Sequence, residues 1–125
     1  MRSLLLALAL CLTSFVANAK TKVIYFHGKQ RCATCLSIEK NAKDLVEERY
    51  AEELRNGKLE FMVVDFSTPL GKSIAEKYKV TFSSLIVENE KGKTDVTRYG
   101  FQYARTQPDQ FKSELKDVVD KALAE

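Results

Sequence analysis

The chain has 125 residues, 45% of them hydrophobic and 30% charged, with a formal net charge of +3 at neutral pH. That length and composition fit one globular domain able to bury its own core. The small charge is mixed along the chain, and no basic block or aromatic ladder points to nucleic acid.

The first stretch reads as a targeting segment. Met1-Arg2 gives a short basic start, Leu4 to Leu12 is an unbroken apolar run, and Ala17-Asn18-Ala19 has the small-x-small pattern of a signal-peptidase site. The run is too short for a comfortable membrane span. Residues 1–19 are therefore expected to be a signal peptide, with residues 20–125 the folded domain, periplasmic or secreted. A lipoprotein using Cys11 is disfavoured, because Leu10 stands where a small residue is wanted. With Cys11 removed, the mature cysteines are Cys32 and Cys35. A bridge between them closes a tiny loop and restricts the unfolded chain very little, so reactivity explains the pair better than stabilisation does.

The mature part opens with a buried strand, Lys22 to Phe26, that leads into Phe26-His27-Gly28-Lys29-Gln30-Arg31-Cys32-Ala33-Thr34-Cys35. From there Cys35, Leu36, Ile38, Ala42, Leu45, Val46, Tyr50, Ala51 and Leu54 recur at helical spacing, and Asn56-Gly57 offers a left-handed stop. Leu59 to Phe66 reads as a second strand. Thr68-Pro69 opens a short helix over Leu70 to Tyr78. Ser84 to Glu88, a turn at Glu90-Lys91-Gly92 and a strand from Thr94 to Tyr99 form a hairpin. Gln107-Pro108-Asp109 starts a last helix with its stripe at Phe111, Leu115, Val118, Val119, Ala122 and Leu123. The order is β-α-β-α-β-β-α. A helix joining the first two strands makes them parallel, and a four-stranded mixed sheet with helices on both faces buries every stripe.

A Cys-x-x-Cys between a strand and a helix is the setting of a redox pair rather than of half a zinc site. Cys32, at the helix start, faces unpaired N–H groups and the positive end of the dipole, which favour thiolate over thiol. Arg31 and Lys29 add positive charge. Cys32 is thus expected to attack, with a pKa below the free value of roughly 8.5, and Cys35 to resolve the mixed disulfide. Ala33-Thr34 places neither proline nor an ionisable group between the sulfurs, so nothing there marks a strong oxidant or a strong reductant. His27, the single histidine, is read as a strand-end residue packed on the sheet; the alternatives are thiolate support and metal ligation. Glu39 lies one turn past Cys35, where it is either a proton shuttle or a solvated helix residue.

Over nearly the whole mature sequence the chain resembles the thioredoxin-like superfamily, with Phe26 to Cys35 the specific part. More narrowly, Tyr25 to Glu39 resembles a group of short exported bacterial proteins labelled the nitrophenyl compound nitroreductase subunit ArsF family. The superfamily resemblance implies the same roles for Cys32 and Cys35. It also implies a substrate groove near Ser83, Ser84 and Gly100. Ser84 falls where thioredoxins carry a cis-proline, and a cis bond before serine costs roughly 3 kcal/mol, so a trans bond is expected. Tyr25 stands at the place of the buried acid, and Arg31 at that of a tryptophan. These departures weigh against general thioredoxin-type reductase activity but leave the Cys-x-x-Cys chemistry intact. Tyr99, Phe101 and Tyr103 beside Gly100 are read as cover for the sheet edge, or as an apolar groove.

The function expected is an exported thiol–disulfide oxidoreductase, without a cofactor, acting on protein or small-molecule thiols and disulfides. It would touch neither nucleic acid nor, once the signal is removed, a membrane. The alternative is a soft-metal or metalloid module in which Cys32 and Cys35, with or without His27, hold copper, zinc or arsenic.

Overall fold

Strand β1 (Thr21–His27) lies inside the sheet, with a strand on each side. That position explains its composition: Val23, Ile24, Tyr25 and Phe26 are all fully buried, because helices cover both faces. In this computed structural model, residues 20–125 are described; the expected signal peptide lies outside them. Strand β2 (Leu59–Asp65) runs parallel to β1, in register from Thr21 opposite Leu59 to His27 opposite Asp65. On the other side β3 (Ser84–Asn89) is antiparallel, with Phe26 opposite Ser84, and β4 (Gly92–Asp95) completes the order β2-β1-β3-β4.

Five helices pack on this sheet: α1 (Ala33–Arg49), α2 (Ala51–Asn56), α3 (Pro69–Tyr78), α4 (Thr97–Tyr103) and α5 (Pro108–Ala124). Val23, Tyr25, Leu85 and Val87 face one core with Ile38, Ala42, Leu45 and Val46 of α1 and Phe111, Leu115 and Val119 of α5. Ile24, Phe26, Val64 and Ile86 face the second core, under Ala75 and Ile74 of α3. Each large apolar side chain buried this way contributes roughly 1.5–3 kcal/mol, so the two-sided packing dominates what holds the sheet. The expected mixed sheet with helices on both faces is the observed one. No helix among the described residues is long and apolar enough to cross a membrane.

Two elements differ from the sequence reading. The single helix expected from Cys32 to Leu54 breaks at Tyr50, whose backbone leaves helical geometry (φ −126°, ψ 28°). Its hydroxyl donates to Asp120 Oδ1 at 2.5 Å and to the Lys116 carbonyl at 3.3 Å, both on α5. Anchoring to α5 outweighs continuation of the helix. The strand expected from Thr94 to Tyr99 ends at Asp95, whose side chain accepts from the Thr97 N–H at 2.9 Å and so turns the chain. Thr97 Oγ1 in turn accepts from the Leu85 N–H at 3.0 Å, and α4 follows. The β-branched and aromatic residues in Val96 to Tyr99 resemble a strand in composition, but a local side-chain turn decides their geometry.

At the edge strand β2, α3 is fastened to the sheet next to the end of β1. Thr68 Oγ1 accepts from Gly71 N and donates to the Asp65 carbonyl, at 3.0 and 2.8 Å. The approach is so close that a Cβ on Gly71 would lie 1.8 Å from the Asp65 carbonyl oxygen. Only glycine fits there.

The Tyr50–Asp120 joint has a pH signature. Burial alone would raise the Asp120 carboxyl, but hydrogen bonds from Lys116 and Tyr50 outweigh it and hold the group below its ordinary value. A carboxyl depressed in the folded state adds stability above its unfolded pKa of about 3.9 and loses it as pH falls through the lower folded value. Tyr50→Phe should cost about 1 kcal/mol at neutral pH in urea unfolding. The difference from wild type should shrink in acid below the folded value of Asp120, and an undiminished difference there would show that the hydroxyl acts through the Lys116 carbonyl rather than through the Asp120 carboxylate.

Candidate active site

Strand β1 delivers the chain to the site. Its last residue, His27, is 8% exposed, stacks on the Tyr25 ring with 6.1 Å between centroids, and has Nδ1 2.9 Å from the Gly28 carbonyl. It therefore packs at the strand end. Among the described residues no group of three histidine, cysteine, aspartate or glutamate side chains is placed to hold a metal ion.

Cys32 is the N-cap residue of α1, and its extended backbone (φ −75°, ψ 163°) turns its side chain back over the first helical turn. Cys32 and Cys35 form a disulfide, with their Cα atoms 5.0 Å apart. The Cys35 backbone N–H donates to Cys32 Sγ at 3.0 Å, so one of the unpaired amides at the helix start is aimed at this sulfur. Cys32 is exposed, whereas Cys35 is 6% exposed. An incoming sulfur therefore meets Cys32.

Arg31 does not lend its charge freely to Cys32. Its guanidinium pairs with Glu39, eight residues on and in the second turn of α1, and both side chains are partly shielded from solvent. Glu39 is thus neither a free shuttle nor a fully solvated residue; it neutralises Arg31. Lys29 stands exposed in the loop. The helix amide, at hydrogen-bond distance, is the dominant local stabiliser of charge on Cys32.

Of the three residues expected to form a groove, Ser83 brings its side chain to the sulfurs: its Oγ lies 3.9 Å from Cys35 Sγ. Ser84 is 3% exposed, follows a trans peptide bond, and turns its hydroxyl to the Phe82 carbonyl at 2.8 Å. Gly100 sits inside α4, not after a strand, and a Cβ there would meet Ile38 Cδ1 at 2.9 Å. Its smallness lets α4 approach α1. Two apolar residues beside the site escaped the sequence reading as exposed groups. Leu36, next to Cys35, is 50% exposed, and Phe82, next to Ser83, is 62% exposed. Leu36 could have been found, because it lies one position off the buried stripe Cys35, Ile38, Ala42, Leu45 and Val46.

Tyr25, in the core directly under this face, is fully buried, and burial pushes its phenol above the ordinary value. The Ser83 hydroxyl is close enough to act on it, but among the described residues the Tyr25 hydroxyl has no hydrogen-bond partner.

No protein-family model and no curated protein matches the chain. Solved structures do. A thioredoxin from Fasciola hepatica superposes with a TM-score of 0.55 at 16% identity, over 93% of each chain. The fold is thioredoxin-like. Thioredoxin f2 of Chlamydomonas reinhardtii superposes with a TM-score of 0.53 at 15% identity, over 83% of this chain and 80% of that one. An uncharacterised thioredoxin-like protein from Clostridium perfringens gives 0.55 at 12% identity, over 84% and 72%. On this thioredoxin-like frame the Cys-x-x-Cys pair sits where β1 passes into α1.

The contrast in exposure and amide contact between the two sulfurs sets their order of reaction. In the reduced protein at neutral pH, iodoacetamide should alkylate Cys32 well before Cys35, as read by peptide mass spectrometry. Equal rates would contradict a helix-stabilised Cys32.

Proposed function

We propose that this chain is an exported thiol–disulfide oxidoreductase that exchanges electrons with protein or small-molecule thiols and disulfides through Cys32 and Cys35. The observation that carries the reading is the exposed Cys32 sulfur, bonded to Cys35 and accepting the Cys35 amide at 3.0 Å. Charge that develops on Cys32 is met by a dipole already in place.

In the oxidising direction, a partner thiolate attacks Cys32 Sγ. A partner–Cys32 disulfide forms, the Cys32–Cys35 bond breaks, and Cys35 leaves as a thiolate. A second partner thiolate then attacks the partner sulfur of this mixed disulfide, which releases an oxidised partner and a reduced dithiol. In the reducing direction the Cys32 thiolate attacks a partner disulfide, and Cys35 resolves the adduct. In this reading the exposed Leu36 and Phe82, next in sequence to Cys35 and Ser83, give the partner apolar contact. Export is supported by Met1-Arg2, the Leu4 to Leu12 run and Ala17-Asn18-Ala19. An oxidising compartment also suits a chain whose folded part keeps a single disulfide pair. The narrower likeness to the ArsF family rests on the Tyr25 to Glu39 stretch alone.

Cys35→Ser should accumulate mixed disulfides on Cys32, seen as adducts that reducing agent removes, whereas Cys32→Ser should accumulate none. Free monomer alone from Cys35→Ser would remove the exchange reading. Expressed with its first 19 residues in a bacterium, the chain should appear in the periplasmic fraction with Lys20 at its N-terminus. An uncleaved cytoplasmic protein would refute the export step.

A further inference from the structure

Beneath the disulfide lies a polar group that the exchange chemistry described so far does not use. Tyr25 is fully buried in the middle of the central strand, and among the described residues its hydroxyl has no hydrogen-bond partner. A buried hydroxyl left unpaired is costly, whereas a phenylalanine would fill the same space without that cost. The groups that act on its charge are the Ser83 hydroxyl and the paired side chains of Arg31 and Glu39. Ser83 itself reaches the other way, with Oγ 3.9 Å from Cys35 Sγ. A disulfide sulfur carries no hydrogen, so in that contact Ser83 is the donor. The Ser83–Cys35 contact is long while the disulfide is closed, since a disulfide sulfur is a weak acceptor.

We propose that Ser83 and Tyr25 are a hydroxyl pair that receives the negative charge released onto Cys35 when the disulfide opens: Ser83 donates to the Cys35 thiolate, and Tyr25 donates to Ser83 Oγ and so holds the Ser83 proton on the sulfur. The proposal rests on the exchange reading above and assigns it a second charge-stabilising element. Cys32 has the helix amide; Cys35, which is buried, has Ser83. A thiolate accepts far more strongly than a disulfide sulfur, so the pair favours the open state over the closed one. Burial raises the Tyr25 phenol, so it stays protonated and serves as a donor rather than as a base.

The step balances without a proton transfer. An external thiolate attacks Cys32 Sγ and forms a new S–S bond. The Cys32–Cys35 bond breaks, and its electron pair goes to Cys35 Sγ. One negative charge has moved from the external sulfur to Cys35, while Ser83 and Tyr25 keep their protons. Ser83, in contact with a reacting atom, is a catalytic residue; Tyr25 acts through it and is a positioning residue.

The test uses dithiothreitol as the attacking thiol and follows the opening of the oxidised protein by maleimide trapping and mass. Ser83→Ala should open about 10-fold more slowly, the effect of one hydrogen bond to a charged sulfur. Tyr25→Phe should slow opening by about 3-fold, the smaller share of a donor that acts indirectly. The double variant should match Ser83→Ala, and Ser83→Thr should recover most of the rate. The reduction potential, read by equilibration with glutathione, should fall in Ser83→Ala, a change that loss of packing common to both redox states would not produce. Opening rates of both single variants close to wild type would overturn the proposal. So would a Tyr25→Phe effect that persists undiminished in the Ser83→Ala background, since Tyr25 would then not act through Ser83. Dithiothreitol requires no biological partner, so the two readings fail separately. A protein that traps no partner yet shows the Ser83 effect loses the function and keeps this site. One that traps partners yet opens at a single rate in every variant does the reverse.

Discussion

A strand buried on both faces controls this molecule. β1 has β2 on one side, β3 on the other, and helices above and below, so it has no freedom to slide: a one-residue slip would exchange its two cores. The place where its chain leaves the sheet is therefore set. Six residues after Phe26, with the strand ended and a helix beginning, Cys32 stands at the N-cap with an amide aimed at its sulfur. The reactivity assigned to Cys32 follows from that placement more than from any neighbouring charge, because Arg31 is neutralised by Glu39.

Much of the fold was legible because burial leaves a direct trace in sequence. The unbroken apolar run Val23 to Phe26 signalled a strand covered on both faces, and the stripes of α1 and α5 signalled helices covered on one. Asn56-Gly57 was read as a left-handed stop, and Gly57 has φ 84°. Two features left no such trace. The break at Tyr50 depends on Asp120, 70 positions away, and periodicity carries no information about that hydrogen bond. The end of β4 depends on an Asp95 side chain that competes with the sheet for the Thr97 N–H, against a run of residues that favours strands.

The site divides in the same way. The motif, its order of strand then helix, and the exposed and buried sulfurs follow from local rules. What surrounds Cys35 does not. Ser83 comes from a loop 48 positions further along the chain, and the orphan hydroxyl of Tyr25 is meaningful only once its full burial is known. Ser84 and Gly100, expected at a groove by resemblance, turn out to serve the fold: one caps a carbonyl and the other makes room for a helix.

That room has a mechanical side. Ile38, one turn below Cys35, rests in the notch left by Gly100, and Asn41 on the next turn reaches across to the Ala104 carbonyl at the end of α4. Together they act as a spline, so that α1 cannot roll about its long axis without dragging α4 along. With α1 held in this way, opening the sulfur–sulfur bond calls for side-chain torsions alone, and the amide at the helix tip stays aimed at Cys32.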